Sequence, residues 1–280
     1  MAVISIVGGI CADIIAEPFA DIVERDSNPG RVLLRAGGVG FNIASRLAQL
    51  GHEARLICAL GSDPFRGMLL SAAERAGVAL EPISAERSGV YLCVNDPDGD
   101  MRVAFSDLNC TESDITPAAL APFIDGINAS DACVLDGNLT SEALIYLADN
   151  VKVPLFADPV STKKALRLLP VLPKLFAIKP NIYEARTLTG LESPADCAKA
   201  LVNTGCCAAF VSCGAEGMYY ADGSGSGYVP TEAVSGVTTG AGDAAGAMLL
   251  HSLLSGSSAK EAAEAANRFA RDCVAGAHIK

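Results

Sequence analysis

The sequence predicts a doubly wound α/β fold: a mostly parallel β-sheet with helices on both faces, plus a small β-sheet lid. Three observations carry this. Short apolar runs alternate with helical patterns along most of the chain. Several of those runs are apolar throughout, as parallel strands covered on both faces require. One hairpin pattern, at residues 90–105, breaks the alternation.

The first run, residues 3–7, reads as a strand. It lacks the basic segment and the cleavage site of a signal peptide. Residues 13–17 and 31–36 would add short strands, and a helix is expected over 40–50. A strand at 54–60 and a helix at 64–76 follow. Next, Val90-Tyr91-Leu92-Cys93-Val94 and Met101-Arg102-Val103-Ala104-Phe105 flank a Pro/Asp/Gly turn, which predicts a β-hairpin. The alternation then resumes with strands at 132–135, 153–157, 175–178 and 208–212 and helices at 141–149, 182–189 and 195–203. Asp222-Gly223-Ser224-Gly225-Ser226-Gly227 has linker composition and is expected to be a flexible loop within the domain. One domain is expected over residues 1–280, with lid strands drawn from about 13–36 and 89–107.

A chain of 280 residues suits one large α/β domain with a full core. It carries 21 basic and 32 acidic residues, a net charge of −11, with no Lys/Arg cluster. That argues against nucleic acid or an anionic membrane as partner, but not against an anionic ligand held at a local site. No run has the length and apolarity of a membrane span. The ten cysteines form no C-x-x-C pair and mostly sit in apolar runs. They read as small buried hydrophobes of a protein in the reducing cytoplasm. His52, His251 and His278 are isolated, so no zinc site is expected.

Four elements carry the chemistry. Near the C-terminus, Gly240-Ala241-Gly242-Asp243 opens a helical run. Glycines without Cβ atoms let backbone approach a ligand closely. The free N–H groups of a helix start then attract an anion. Asp243 stands at the rim, placed to take a proton from an attacking hydroxyl. The other three are Gly8-Gly9-Ile10-Cys11-Ala12-Asp13, Gly37-Gly38-Val39-Gly40-Phe41-Asn42, and Asn181-Ile182-Tyr183-Glu184. Each alone reads equally as a strand end, a helix start or a capping pair. No G-x-x-x-x-G-K-[ST] occurs, which excludes a P-loop. Neither N-terminal glycine pair continues as G-x-G-x-x-G, which weakens a dinucleotide reading.

In this order, on this strand–helix background, the four elements resemble the ribokinase-like (PfkB) carbohydrate kinases, from the first strand to about residue 276. The resemblance implies ATP and Mg²⁺ as cofactors and a small-molecule sugar or nucleoside as substrate. It implies Asp243 as the base and Gly240, Ala241 and Gly242 as the anion hole. Asn181 and Glu184 would act on phosphate and Mg²⁺, largely through water. Asp13 and Asn42, beside Gly38, would bind sugar hydroxyls. Ser212, Gly214 and Gly217 would form the nucleotide-site turn, with Asn267 on the helix bordering adenine.

Within the family, the stretches Asp26-Ser27-Asn28-Pro29-Gly30, Ser106-Asp107-Leu108-Asn109, Asp136-Gly137-Asn138 and Asp158-Pro159-Val160-Ser161 resemble those of pseudouridine kinases. A C-linked uracil needs both donors and acceptors. Ser27, Asn28, Asp107, Asn109, Asn138 and Lys164 would supply them; the alternative for each is a turn-stabilising side chain. A kinase of ribose or adenosine, or a non-catalytic nucleoside binder, stays open as an alternative. Thirty-seven residues follow Asp243. Family members usually continue further, with a segment that closes the adenine pocket and contributes to a K⁺ site. Both features are therefore expected to be reduced. A homodimer through the lid is the remaining expectation from the resemblance.

Overall fold

The computed structural model describes residues 1–236 and 238–276. The strands are β1 (Val3–Val7), β2 (Cys11–Pro18), β3 (Gly30–Gly37), β4 (Glu53–Leu60), β5 (Val78–Ser84), β6 (Gly89–Asn95), β7 (Met101–Asp107), β8 (Ala132–Asp136), β9 (Leu155–Asp158), β10 (Ala177–Ile178), β11 (Ala208–Ser212), β12 (Gly217–Asp222) and β13 (Gly225–Pro230). The helices are α1 (Val39–Gln49), α2 (Phe65–Ala76), α3 (Asn109–Ser113), α4 (Pro117–Leu120), α5 (Ile124–Asn128), α6 (Ser141–Asn150), α7 (Thr162–Ala165), α8 (Ile182–Thr189), α9 (Pro194–Asn203), α10 (Ala241–Leu254) and α11 (Ala259–Val274).

Nine strands form the main sheet in the order β13-β12-β11-β10-β9-β8-β1-β4-β5. From β5 to β11 the neighbours pair in parallel; β12 and β13 close the edge as an antiparallel hairpin. Alternate strand residues feed two cores. Ile4, Ile6, Val134 and Phe156 pack under α1, α10 and α11, while Val7, Cys133, Leu135 and Ala157 pack against α6 and its neighbours. Burial on both faces is why these strands read as unbroken apolar runs. Successive strands run outward from β1 in both directions. The crevice between β1 and β8 is therefore the topological switch point, where such sheets bind ligands. Among the described residues, no helix is long and apolar enough to cross a membrane. All ten cysteines are free, and Cys207 alone is exposed.

The lid is a separate sheet ordered β3-β2-β6-β7. Its register sorts its side chains by face. Leu34, Ile14, Leu92 and Phe105 form one row, and Val32, Ala16, Val94 and Val103 the next. On the other face Arg35, Asp13, Tyr91 and Ser106 line up. One face is thus apolar, with Val32, Leu34, Val103 and Phe105 exposed, and the other carries Asp13.

Several elements differ from expectation, two of them at the edges of the main sheet. The 222–227 segment is not a flexible loop: Asp222 Oδ1 accepts the N–H groups of Ser224 and Gly225, and β13 starts at Gly225. Gly227 lacks a side chain because Tyr220 lies across it; a Cβ there would meet the Tyr220 hydroxyl at 2.5 Å. The other is β5, whose Glu81 and Pro82 hide it from an apolar-run reading. A sheet edge tolerates both.

Candidate active site

The switch point is organised by a wholly buried carboxylate. Asp136 ends β8, and its Oδ2 accepts the N–H groups of Gly9 at 2.9 Å and Gly40 at 3.2 Å. Oδ1 takes the N–H and Nδ2 of Asn138, each at 2.8 Å. Burial raises its pKa above the usual carboxylate value. This one side chain ties the turn after β1 to the start of α1. Gly8 makes room for it, since a Cβ there would meet Asp136 Cβ at 2.5 Å. At Gly38, φ is +102° and a Cβ would stand 2.7 Å from Gly9 O, so only glycine fits the start of α1.

Gly240, with φ +82°, caps α10, and Asp243 is the third residue of that helix. No backbone acceptor for the Gly242 and Asp243 N–H groups occurs among the described residues. The turn therefore offers its donors outward, as an anion site requires. Asn42 Nδ2 donates to Asp243 Oδ2 at 2.7 Å. The Asp243 pKa is raised to about 7 by burial first and by the charge of Asp158 next; the Asn42 bond and Lys179 work against the rise.

Asn181 caps α8. Its Oδ1 accepts from Tyr183 and Glu184 N–H, and Glu184 Oε2 accepts the Asn181 N–H at 2.8 Å. The pair is a complete capping box, so the motif serves locally as a capping pair. Glu184 is also buried, and burial and then Asp158 raise its pKa. Close by, Lys179 Nζ lies 3.1 Å from Asp158 Oδ2. Burial opposes the Lys179 charge, but Asp158, Glu184 and Asp243 outweigh it and hold its pKa above the ordinary lysine value.

A cleft of about 280 Å³ opens beside the α10 start. Ser212, Gly214, Gly217, Gly242, Asn267 and Arg271 are among its lining residues. The structure thus brings the four nucleotide-site residues of the sequence reading to one cavity that also contains Ala241 and Gly242. Asn267 does not point a free amide into it: Nδ2 donates to Val229 O at 3.0 Å.

Asp13 sits on the polar face of the lid. Cys11 Sγ donates to its Oδ1 at 3.2 Å, and Arg35 Nε lies 3.8 Å from Oδ2. Gly37 admits the carboxylate, which a Cβ would contact at 2.2 Å. The six base-reading residues do not form one group. Asn28 has both ends of its amide in a lid turn, with Val23 N–H, Val23 O and Asp26 O, and Ser27 is exposed beside it. Asn138 gives Nδ2 to Asp136 and accepts from Lys164 Nζ. Asp107 and Asn109 bond to each other at 3.2 Å and line a second cavity of about 350 Å³ with Arg87 and Ser88. For Asn28 and Asn138, then, the geometry is that of turn and scaffold residues.

Sequence reasoning missed Asp136, Asp158 and Lys179 as site residues. One signal for the two aspartates was available: an acidic residue ends an otherwise apolar strand. Chemically, the arrangement can hold an anion at the start of α10 and take a proton from a hydroxyl beside Asp243. Those abilities define the phosphotransferases that use an alcohol as acceptor. A model of the pfkB family carbohydrate kinases matches residues 1–276, and the chain belongs to that family. It is 35% identical to the pseudouridine kinase of Escherichia coli (strain K12), over 96% of this chain and 88% of that one. It is 28% identical to the guanosine-inosine kinase of Exiguobacterium acetylicum, over 97% and 94%. A carbohydrate kinase from Agrobacterium tumefaciens superposes with a TM-score of 0.87, at 29% identity, over 96% of this chain and 90% of that one.

Proposed function

We propose that the chain transfers the γ-phosphoryl group of ATP to the 5′-hydroxyl of pseudouridine, giving pseudouridine 5′-phosphate and ADP. The observation that carries the chemistry is Asp243: a carboxylate with a pKa raised to about 7, in the first turn of a glycine-capped helix, beside a cleft of about 280 Å³. A base poised near the working pH has the best balance of ionisation and proton affinity. The likeness to the Escherichia coli pseudouridine kinase supports the choice of substrate.

In this reading Asp243 accepts the hydroxyl proton while the Gly240–Asp243 turn receives the phosphate. Asp13, held by Cys11 and Arg35, binds sugar hydroxyls from the lid. The residues fit ATP and Mg²⁺: the turn has open N–H donors, and Glu184 adds a carboxylate to a site already rich in negative charge. Mg²⁺, when bound, neutralises charge on the transferring phosphate. The exposed apolar face of the lid supports a homodimer formed through it.

The test is ADP release with Mg-ATP, comparing pseudouridine, uridine, ribose, adenosine, guanosine and inosine, with and without potassium. Selective turnover of pseudouridine is expected. A preference for guanosine or inosine would favour the purine reading that the Exiguobacterium acetylicum relative suggests. No turnover of any of them would favour a non-catalytic nucleoside binder.

A further inference from the structure

Lys179 is the one lysine or arginine that is buried among the described residues. Its N–H donates to Ala157 O at 3.1 Å, which fixes it just beyond β10. Its stem then runs beneath α10. A Cβ on Gly246 would stand 3.3 Å from Lys179 Cε, and one on Gly242 would stand 3.7 Å from Nζ. Two glycines, four residues apart on one helix, leave the space through which the ammonium reaches the first turn. There it meets Asp158 Oδ2 at 3.1 Å. The second oxygen of Asp158 accepts the Val160 N–H at 2.9 Å and holds that β-branched residue at φ +69°.

Charged and polar groups reach Asp243 from several elements. Asn42 comes from α1, Asp136 from β8, Asp158 from β9 and Lys179 from beyond β10. Glu184, on α8, acts on Lys179. Three carboxylates, Asp158, Glu184 and Asp243, therefore act on one ammonium. Without it, Asp243 would face the Asp158 carboxylate with no counter-charge, an arrangement that opposes ionisation of Asp243.

We propose that Lys179 is a positioning residue for phosphoryl transfer: it braces the Gly240–Asp243 turn from beneath and, with Asp158, balances the charge around the base. The inference rests on the reading of Asp243 as that base. It makes the phosphate-binding turn and the proton acceptor one electrostatic unit.

The experiment follows the Asp243 carboxyl by ¹³C NMR against pH in the free protein, for wild type, Lys179→Met and Asp158→Asn. The same proteins are assayed for kcat against pH with Mg-ATP and pseudouridine. Removing the positive partner should raise the Asp243 midpoint, and removing the negative partner should lower it, each on the order of one pH unit. The acid limb of kcat should move with the midpoint. A merely structural role would lower kcat at every pH and move neither midpoint. Shifts in the same direction, or none, overturn the proposal. Because breaking one side of a buried ion pair can unfold a protein, the double variant Lys179→Met/Asp158→Asn is measured too. Its midpoint should lie between those expected for the single variants, with kcat at least about tenfold down because the turn has lost its brace. Wild-type kcat in the double variant overturns the proposal. Retained turnover in Asp243→Asn would instead sink the base assignment. The NMR readout needs no substrate, so the two failures are distinguishable.

Discussion

Asp243 pits the stability of a residue against its use. Its pKa of about 7 lies well above the ordinary aspartate value of 3.8, with burial the leading cause. A raised folded-state pKa means that the neutral form is favoured in the fold. Ionised Asp243 therefore costs stability above the unfolded-state value, increasingly until pH passes about 7. Two consequences share that sign. Turnover should rise with pH through about 7, as Asp243 becomes able to accept a proton. Asp243→Asn should lower kcat on the order of a thousandfold while raising the melting temperature at alkaline pH, a gain that fades toward pH 4. Kinetics and thermal unfolding on the same preparations check both, and an Asn variant that melts earlier than wild type would count against a strained base.

Among the elements, β1 and α10 are linked at the end far from the base. His52 Nε2 and His251 Nδ1 are 2.8 Å apart, and His52 Nδ1 accepts the Ala2 N–H at 3.2 Å. That acceptor role leaves the His52 proton on Nε2, which donates to His251. The three-part link needs both rings neutral. Burial, followed by the charges of His251 and the N-terminal amine, lowers the His52 pKa below its ordinary value. Stability from this link is present above the unfolded histidine value of 6.5 and is lost as pH falls below it. Thermal unfolding from pH 8 to pH 5 should show wild type losing a few degrees more than His251→Leu. Parallel curves would remove the link from the stability account. Local signals made other elements readable. Largely apolar runs marked β1, β8 and β11, and glycines marked the starts of α1 and α10. The Lys179–Asp158 pair had no such signal, because 21 residues separate its members and only the adjacency of β9 and β10 joins them. The capping box of Asn181 and Glu184 was readable, but its burial was not.

At the scale of the molecule, the Gly240–Asp243 turn opens α10 over the main sheet and the lid carries Asp13. The fold class and the lid were legible because burial on both faces and hairpin chemistry each leave a pattern in sequence. The base-reading residues were not. Asn28 and Asn138 are polar residues near turns, and nothing in their spacing tells a scaffold amide from one free for a ligand. The lid register predicts where two copies would meet. If the proposed lid dimer forms, Leu34→Glu or Phe105→Glu, which puts a charge into the apolar rows, should convert it to a monomer in light scattering. An unchanged mass for both variants would move the interface elsewhere.

The same strand carries a further consequence. Ile14 and Asp13 are neighbours on β2, one on the apolar face of the lid and one on the polar face. Whatever covers the first steadies the second. Under the dimer reading, substrate affinity becomes a property of protein concentration. Diluting the enzyme below the dissociation constant of the dimer should raise KM before it lowers kcat, because the half of the site outside the lid stays whole when the partner leaves.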